Sequence, residues 1–266
     1  MKRPLRRLAG MALISVTLAV WSATVSPAGA ATADNYVALG DSYSSGVGTN
    51  SYTLSASCKR STYAYPYLLS QQRANTSLNF VACSGATTDD VINNQISAVT
   101  SSTNIVTISI GGNDLGFGKI ITDCVEFDCN ATLTSTRTSA DATLTPKLNT
   151  VYAAIKGRMA PGAKVVVLGY PRLFSTASCF GTLGISASER SNGDLLSDEI
   201  DRVTGLRAAA YGFTYKSATA AFTGHAVCSN SAWLNGLNLF NSSESFHPTR
   251  SGQSSGYLPL VRQVVG

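Results

Sequence analysis

The sequence predicts an α/β protein with a parallel sheet of about five strands covered by helices on both faces. Short apolar runs recur along the chain, segments with helical spacing separate them, and small polar loops follow several of the runs. Strands that alternate with helices form a parallel sheet that is buried on both faces.

Five apolar runs are the predicted strands, because continuous apolar stretches of this length are typical of buried strands. They cover residues 36–39, 78–82, 105–110, 164–168 and, more weakly, 213–216. Apolar side chains share one helical face in 91–99 and 144–155, and further helices are predicted over 188–211 and within 251–265. The Ser/Thr/Gly-rich stretches 116–138 and 175–188 are predicted to be surface loops.

The first 30 residues have the pattern of a secretory signal peptide. Four basic residues open the chain, an apolar stretch covers 8–20, and the small residues 28–30 fit a cleavage site. An uncleaved anchor is the alternative, but the stretch is short for a membrane span. We therefore expect a signal peptide over 1–30, a single domain over 31–266 and an extracellular protein.

Charge and composition narrow the choice of partners. Without the first 30 residues the chain has 16 basic and 15 acidic residues. No basic run follows the predicted signal peptide, so nucleic acid is not expected as a partner. Nothing in the sequence requires more than a monomer.

Six cysteines lie in the predicted mature chain, and an even number in a secreted protein predicts three disulfides. The spacing alone leaves their pairing open. Zinc binding is the competing use of cysteine, but the chain has no C-x-x-C pair and only two histidines.

The segment Gly40-Asp41-Ser42 directly follows the first predicted strand. It would hold the Ser42 hydroxyl at the carboxyl edge of the sheet, where ligands bind in open α/β folds. A serine needs a base to act as a nucleophile. We predict His247 as this base, because Pro248 keeps it extended just before the last helix. His225 has no acidic neighbour and is interpreted as an ordinary structural residue.

Two further loops follow predicted strands and should open on the same edge as Ser42. One contains Gly85, whose backbone N–H is accessible to a ligand, and the other contains Asn113, whose side chain offers an NH₂ donor. Together with the Ser42 N–H, these groups would form an oxyanion hole of three donors.

These segments together resemble the sequence blocks of the GDSL (SGNH) hydrolases. The resembling blocks are Gly40-Asp41-Ser42-Tyr43, Gly85, Gly111-Gly112-Asn113-Asp114 and Glu244-Ser245-Phe246-His247-Pro248. The chain is most similar to the secreted three-disulfide lipases, esterases and phospholipases of Streptomyces-type actinomycetes. The resemblance implies a flavodoxin-like three-layer fold, with Ser42 as nucleophile, His247 as base, and Gly85 and Asn113 as oxyanion donors. Together with the order of the cysteines, it favours the pairs Cys58–Cys83, Cys124–Cys129 and Cys179–Cys228.

Two positions depart from the family pattern. Tyr43 replaces the leucine of the name motif, which is a common variant, and Glu244 stands three residues before His247, where the family usually has Asp. Similar actinomycete enzymes orient the histidine through a backbone carbonyl two residues upstream, here that of Ser245. We favour the Ser245 carbonyl over the Glu244 side chain as the group that fixes the tautomer of His247.

Two competing sites are less well supported. The stretch 252–256 matches the G-x-S-x-G pattern of another hydrolase fold, but its serine follows His247 and no strand precedes it. Asp41 and Asp114 could bind a cation, although Asp41 is better explained as a group that holds the Ser42 loop.

The expected function is that of a secreted lipase or esterase that cleaves lipid or small acyl esters through an acyl-enzyme. No cofactor or metal is expected, and transient contact with a lipid interface is compatible with such substrates. The alternatives are a carbohydrate O-acetylesterase of the same fold and a non-catalytic secreted binding module.

Overall fold

The computed structural model describes residue 1 and residues 33–266. Nearly all of the predicted signal peptide therefore lies outside the described residues. The described residues 33–266 form one compact unit. Within the described part of the chain, no helix combines the length and the apolar character needed to cross a membrane.

Five parallel strands form one sheet in the order β2-β1-β3-β4-β5. They are β1 Asp34–Ala38, β2 Thr76–Phe80, β3 Ile105–Ile108, β4 Lys164–Leu168 and β5 Thr214–Lys216. Each lies within two residues of its predicted position. All four residues of β3, the central strand, are buried, as expected for a strand that helices cover on both faces.

Eight α-helices connect or flank the strands in the described residues. They are α1 Ser42–Ser45, α2 Tyr65–Gln72, α3 Thr88–Asp90, α4 Phe117–Asp123, α5 Asn130–Arg158, α6 Ala187–Ala210, α7 Ala218–Ala221 and α8 Leu258–Val265. Helix α2 packs against α8, whereas α5 packs against both α3 and α6. The chain steps from β1 to β2 in one direction across the sheet, and from β3 to β4 and β5 in the other. Because such crossovers are right-handed, α2 and α8 cover one face of the sheet and α3, α5 and α6 cover the other. The result is the predicted three-layer α/β fold.

One prediction about local structure was wrong, and another was correct only in its helical character. The stretch 116–138 is largely helical, because it contains α4 and the beginning of α5. Apolar residues inside it, such as Ile121 and Leu133, are buried and outweigh the low helix propensity of Ser and Thr. The predicted helix over 91–99 continues α3 as a π turn, Val91–Gln95, and a 3₁₀ turn, Ile96–Ala98.

Candidate active site

The loop after β1, residues 40–48, is called the nucleophile loop. Gly40 has a φ of 122°, and a Cβ there would lie 2.4 Å from the Ser109 carbonyl oxygen, so only glycine fits. Asp41 caps α1 by accepting a hydrogen bond from the Tyr43 N–H at 3.0 Å. Ser42 is therefore the first residue of α1 and lies at the carboxyl edge of the sheet.

Asp41 links the nucleophile loop to a second loop. Its buried carboxyl accepts a hydrogen bond from the Tyr170 hydroxyl, which in turn accepts one from the Gly112 N–H at 3.2 Å. Burial raises the pKa of Asp41 to about 7, although the hydrogen bonds from Tyr170 and Tyr43 act in the opposite direction. Tyr170 was missed by the sequence analysis. Its place just after β4, at the same sheet edge as Ser42, is the signal that could have found it.

The segment 241–248 is called the histidine loop. The Nε2 atom of His247 lies 2.8 Å from Ser42 Oγ, and its Nδ1 atom lies 2.9 Å from the Ser245 carbonyl oxygen. Because a carbonyl can only accept, Nδ1 carries the proton and Nε2 is free to accept one from Ser42. Desolvation in the cleft wall lowers the pKa of His247 to about 4, so the ring is neutral at neutral pH.

Glu244 is fully buried and holds the histidine loop against the nucleophile loop. Its carboxylate accepts hydrogen bonds from the Gly48 N–H at 2.9 Å and from the Tyr52 hydroxyl, and Lys59 Nζ lies 3.9 Å away. Among the described residues, none of its hydrogen bonds goes to His247. The structure therefore places the Ser245 carbonyl, and not the Glu244 side chain, on the imidazole.

The predicted oxyanion donors lie beside Ser42 in one cleft. Gly85 has a φ of 82° with open space where a side chain would be. Asn113 donates one amide hydrogen to the Ala86 carbonyl at 2.9 Å, which fixes the amide and leaves its second hydrogen for a ligand. In the described part of the chain, the N–H groups of Ser42 and Gly85 have no protein acceptor.

The cleft has a volume of about 380 Å³. Ser42 and His247 lie on its wall, together with large apolar side chains. The apolar lining residues are Tyr43, Phe117, Ile121, Tyr170, Leu173 and Phe246. The sequence analysis did not identify this lining, because its members come from four separate segments. Such a cleft can hold the hydrocarbon part of a ligand beside the serine.

The remaining candidate residues have structural surroundings. His225 stacks on Trp233 with ring centroids 3.5 Å apart and contacts the Ser231 carbonyl. The Asp114 carboxylate accepts two hydrogen bonds from Thr88 and lies 3.1 Å from Lys147 Nζ. Ser254, the serine of the G-x-S-x-G match, is exposed in a π turn, Gly252–Tyr257.

Three disulfides join the six cysteines in the pairs that the sequence analysis favoured. They are Cys58–Cys83, Cys124–Cys129 and Cys179–Cys228. No cysteine in the described residues is free to act as a thiolate ligand. The first disulfide fixes the loop that leads to Gly85, since Cys83 lies two residues before that glycine.

Comparison of the sequence with known proteins identifies close relatives. The model of the GDSL-like Lipase/Acylhydrolase family matches residues 38–254. Lipase 1 of Streptomyces coelicolor is 46% identical over 244 residues, which cover 90% of each chain. A lipase of Streptomyces rimosus is 46% identical over 237 residues, or 87% of each chain.

Solved structures give the same result. The crystal structure of the extracellular lipase of Streptomyces rimosus matches with a TM-score of 0.82 and 45% identity, over 87% of this chain and all of that one. Phospholipase A1 of Streptomyces albidoflavus NA297 also matches with a TM-score of 0.82, at 42% identity over 87% of this chain and 99% of that one. The chain therefore belongs to the GDSL-like lipase/acylhydrolase family and is an ester hydrolase.

Proposed function

We propose that this protein is a secreted enzyme that hydrolyses acyl esters of lipids, with Ser42 as nucleophile and His247 as base. The observation that carries the proposal is the 2.8 Å contact between Ser42 Oγ and His247 Nε2, combined with the Ser245 carbonyl on Nδ1. A neutral imidazole in this tautomer can take the serine proton without rearrangement.

The reaction follows from this geometry. His247 Nε2 removes the proton of Ser42 Oγ as the oxygen attacks the ester carbonyl. The Ser42 N–H, the Gly85 N–H and the Asn113 amide stabilise the negative charge on the carbonyl oxygen. The Ser245 carbonyl stabilises the imidazolium by accepting a hydrogen bond from its Nδ1–H. The imidazolium then protonates the leaving alcohol. Water, deprotonated by His247, releases the acid from the acyl-enzyme.

The lipid part of the proposal rests on two observations. Two relatives at 46% identity are lipases, and a structural neighbour at 42% identity is a phospholipase A1. The apolar lining of the cleft is suited to an acyl chain. Export is inferred from the signal-peptide pattern of residues 1–30 and the three disulfides.

The mechanism is tested by Ser42→Ala and His247→Ala on a p-nitrophenyl ester. Each variant should lose at least about 10⁴-fold in kcat, since the two residues act as a unit. Ser254→Ala is the matched control and should keep wild-type activity, because that serine is exposed and follows no strand. A fluorophosphonate probe should label the control and not the Ser42 variant. Near wild-type turnover without Ser42 would refute the mechanism, and absence of labelling in the wild type would favour a binding module.

Asn113→Ala tests the oxyanion hole. Removing one preorganised donor should lower kcat by about 10²–10³-fold with a small change in KM. A loss below about threefold would remove Asn113 from this role.

Substrate class is tested by the acyl-length profile. A lipid-ester hydrolase should hydrolyse octanoyl and longer esters at least as well as acetyl esters, because a longer chain buries more apolar surface against the lining. Strict preference for acetylated carbohydrate would instead establish the O-acetylesterase.

The predicted signal peptide is tested by N-terminal sequencing of the exported protein, which should begin close to residue 31.

A further inference from the structure

Three large apolar side chains project into solvent on one part of the surface, which we call the apolar platform. Phe180 is 64% exposed, Leu239 is 62% exposed and Phe240 is fully exposed. All three line the same shallow hollow. Folded proteins rarely leave several large apolar groups together in water, and such a group marks a binding surface.

Ordered loops hold the platform in place. Phe180 follows Cys179, which is bonded to Cys228. The Leu237 N–H donates to the Gly181 carbonyl at 2.9 Å, and this bond joins the two loops of the platform. The Phe240 N–H donates to Asn238 Oδ1 at 3.1 Å. The exposed side chains are therefore presented by a fixed backbone.

The platform loops have an unusual lack of charge. No Asp, Glu, Lys or Arg occurs between Arg172 and Glu189, and none occurs between Lys216 and Glu244. The first charged group after the platform in the sequence, Glu244, is buried. The cation at the edge of the platform is Lys59, whose Nζ donates a hydrogen bond to Ser243 Oγ and lies 3.9 Å from Glu244. A surface that contacts only water usually carries charges, and a protein-binding surface usually has a charged or polar rim. An apolar surface whose own two loops carry no charged residue fits a lipid surface with no net charge.

The platform continues directly into the candidate active site. Ser242 and Ser243, which follow it in the chain, line the cleft. The Asn238 N–H donates to Ser245 Oγ at 2.9 Å, so the platform loop contacts the residue whose carbonyl orients His247. A lipid surface seated on the platform would therefore lie at the entrance of the cleft.

We propose that the apolar platform of Phe180, Leu239 and Phe240 docks on the surface of an aggregated lipid of no net charge, and so brings the cleft to esters in that surface. The inference rests on the proposed lipid substrate. Docking requires no covalent step, and its driving force is the removal of the exposed apolar area from water.

The test separates docking from catalysis. In the Ser42→Ala background, which cannot consume the lipid, partitioning onto phosphatidylcholine vesicles is measured by co-sedimentation. Adding Phe240→Ser should weaken partitioning roughly tenfold, because burying one Phe side chain contributes about that factor. Adding Leu239→Ser should weaken it further. The matched control is Leu206→Ser. Leu206 is also exposed, at 50%, but it lies near the carboxyl end of α6, which leads to the amino end of β5 and so to the sheet edge opposite the cleft.

Activity gives the second readout. With Ser42 intact, Phe240→Ser should keep the wild-type rate on a water-soluble p-nitrophenyl ester and lose about tenfold on vesicles at low lipid concentration. Partitioning unchanged by Phe240→Ser, or weakened equally by Leu206→Ser, would overturn the proposal. Binding that requires anionic lipid and disappears in salt would also overturn it. Self-association that is lost in Phe240→Ser, without vesicle binding, would identify a second copy as the occupant. Vesicle binding without hydrolysis would exclude phosphatidylcholine as a substrate and leave the docking surface standing.

Discussion

The nucleophile loop and the histidine loop each carry one buried carboxyl group close to a reacting residue, but the two groups have different surroundings. Asp41, beside Ser42, is held by neutral donors, the Tyr170 hydroxyl and the Tyr43 N–H. Glu244, three residues before His247, has a lysine 3.9 Å away in addition to its hydrogen bonds. Neither carboxyl group contacts the imidazole in the described structure.

The difference teaches that a buried carboxylate can lie close to the proposed catalytic histidine without contacting it. Asp41 connects the loops after β1, β3 and β4 through Tyr170, and thereby fixes Ser42 relative to the proposed oxyanion donors. Glu244 connects the two loops that carry Ser42 and His247 through Gly48. We therefore interpret both carboxyl groups as positioning groups, which leaves the Ser245 carbonyl as the third member of the catalytic set.

Between the two carboxyl groups, the larger effect is expected for Asp41→Ala. The change removes the cap of α1 and the partner of Tyr170, so Ser42 loses its position relative to the oxyanion hole. We expect kcat to fall by about 10²-fold, which is typical of a displacement near 1 Å. Asp41→Asn is the matched control and should retain most activity, since an amide oxygen can still accept from the Tyr43 N–H. Equal losses in the two variants would show that the charge, and not the hydrogen bond, matters at Asp41.

The next largest effect is expected for Glu244→Ala. It leaves the Gly48 N–H, the Tyr52 hydroxyl and Lys59 without their shared partner, and should lower the free energy of unfolding by about 3 kcal/mol. Activity should fall about tenfold. Glu244→Gln keeps an acceptor and should stay within about threefold of the wild type in kcat. A thousandfold loss in Glu244→Gln would make Glu244 the partner of His247 and end the distinction between the two loops.

The two loops should contribute to the pH dependence of the unfolding free energy with opposite signs, through Asp41 in one loop and His247 in the other. The pKa of Asp41 is raised to about 7, so the native state holds the extra proton and stability falls as pH rises from about 4 to 7. The pKa of His247 is lowered to about 4, so the unfolded state holds the extra proton and stability falls as pH drops from 6.5 to about 4. The two contributions oppose each other.

Urea unfolding at pH 4.5, 5.5 and 6.5 provides the measurement. Asp41→Asn should make the unfolding free energy rise more steeply with pH, by about 1–3 kcal/mol across this range, and His247→Ala should change the slope in the opposite direction. If both variants show the wild-type slope of unfolding free energy against pH, the pKa directions given for Asp41 and His247 are wrong.

The smallest effects are expected for the two tyrosines. Tyr170→Phe removes the bridge between Asp41 and Gly112 and should lower kcat/KM about fivefold. Tyr52→Phe removes one of several partners of Glu244 and should lower kcat/KM less than twofold. Each should cost about 1 kcal/mol of stability. If Tyr52→Phe lowers kcat/KM more than Tyr170→Phe does, the contacts of Glu244 matter more for activity than those of Asp41.

Patterns within short stretches of sequence were sufficient to predict the strands, but they did not predict contacts between residues far apart in the chain. The strands were predicted because apolar runs in a doubly covered sheet are continuous, and residues at their carboxyl ends were predicted to meet. Helix α2 was missed, because it is short and its apolar side chains follow no clear helical period. The partners of Glu244 could not be predicted either, because Gly48, Tyr52 and Lys59 lie nearly 200 residues away in the sequence.

The contact between Ser42 and His247 joins positions separated by 205 residues. A chain still being synthesised would already contain the proposed nucleophile and both loops of the proposed oxyanion hole, but it would lack the proposed base until residue 247 had been added. Arg73, which hydrogen-bonds to the Val265 carbonyl at 2.7 Å, holds the carboxyl-terminal helix onto the amino-terminal half. With the roles proposed for Ser42 and His247, hydrolysis can begin only after both ends of the domain have come together, so that activity would report the folded domain.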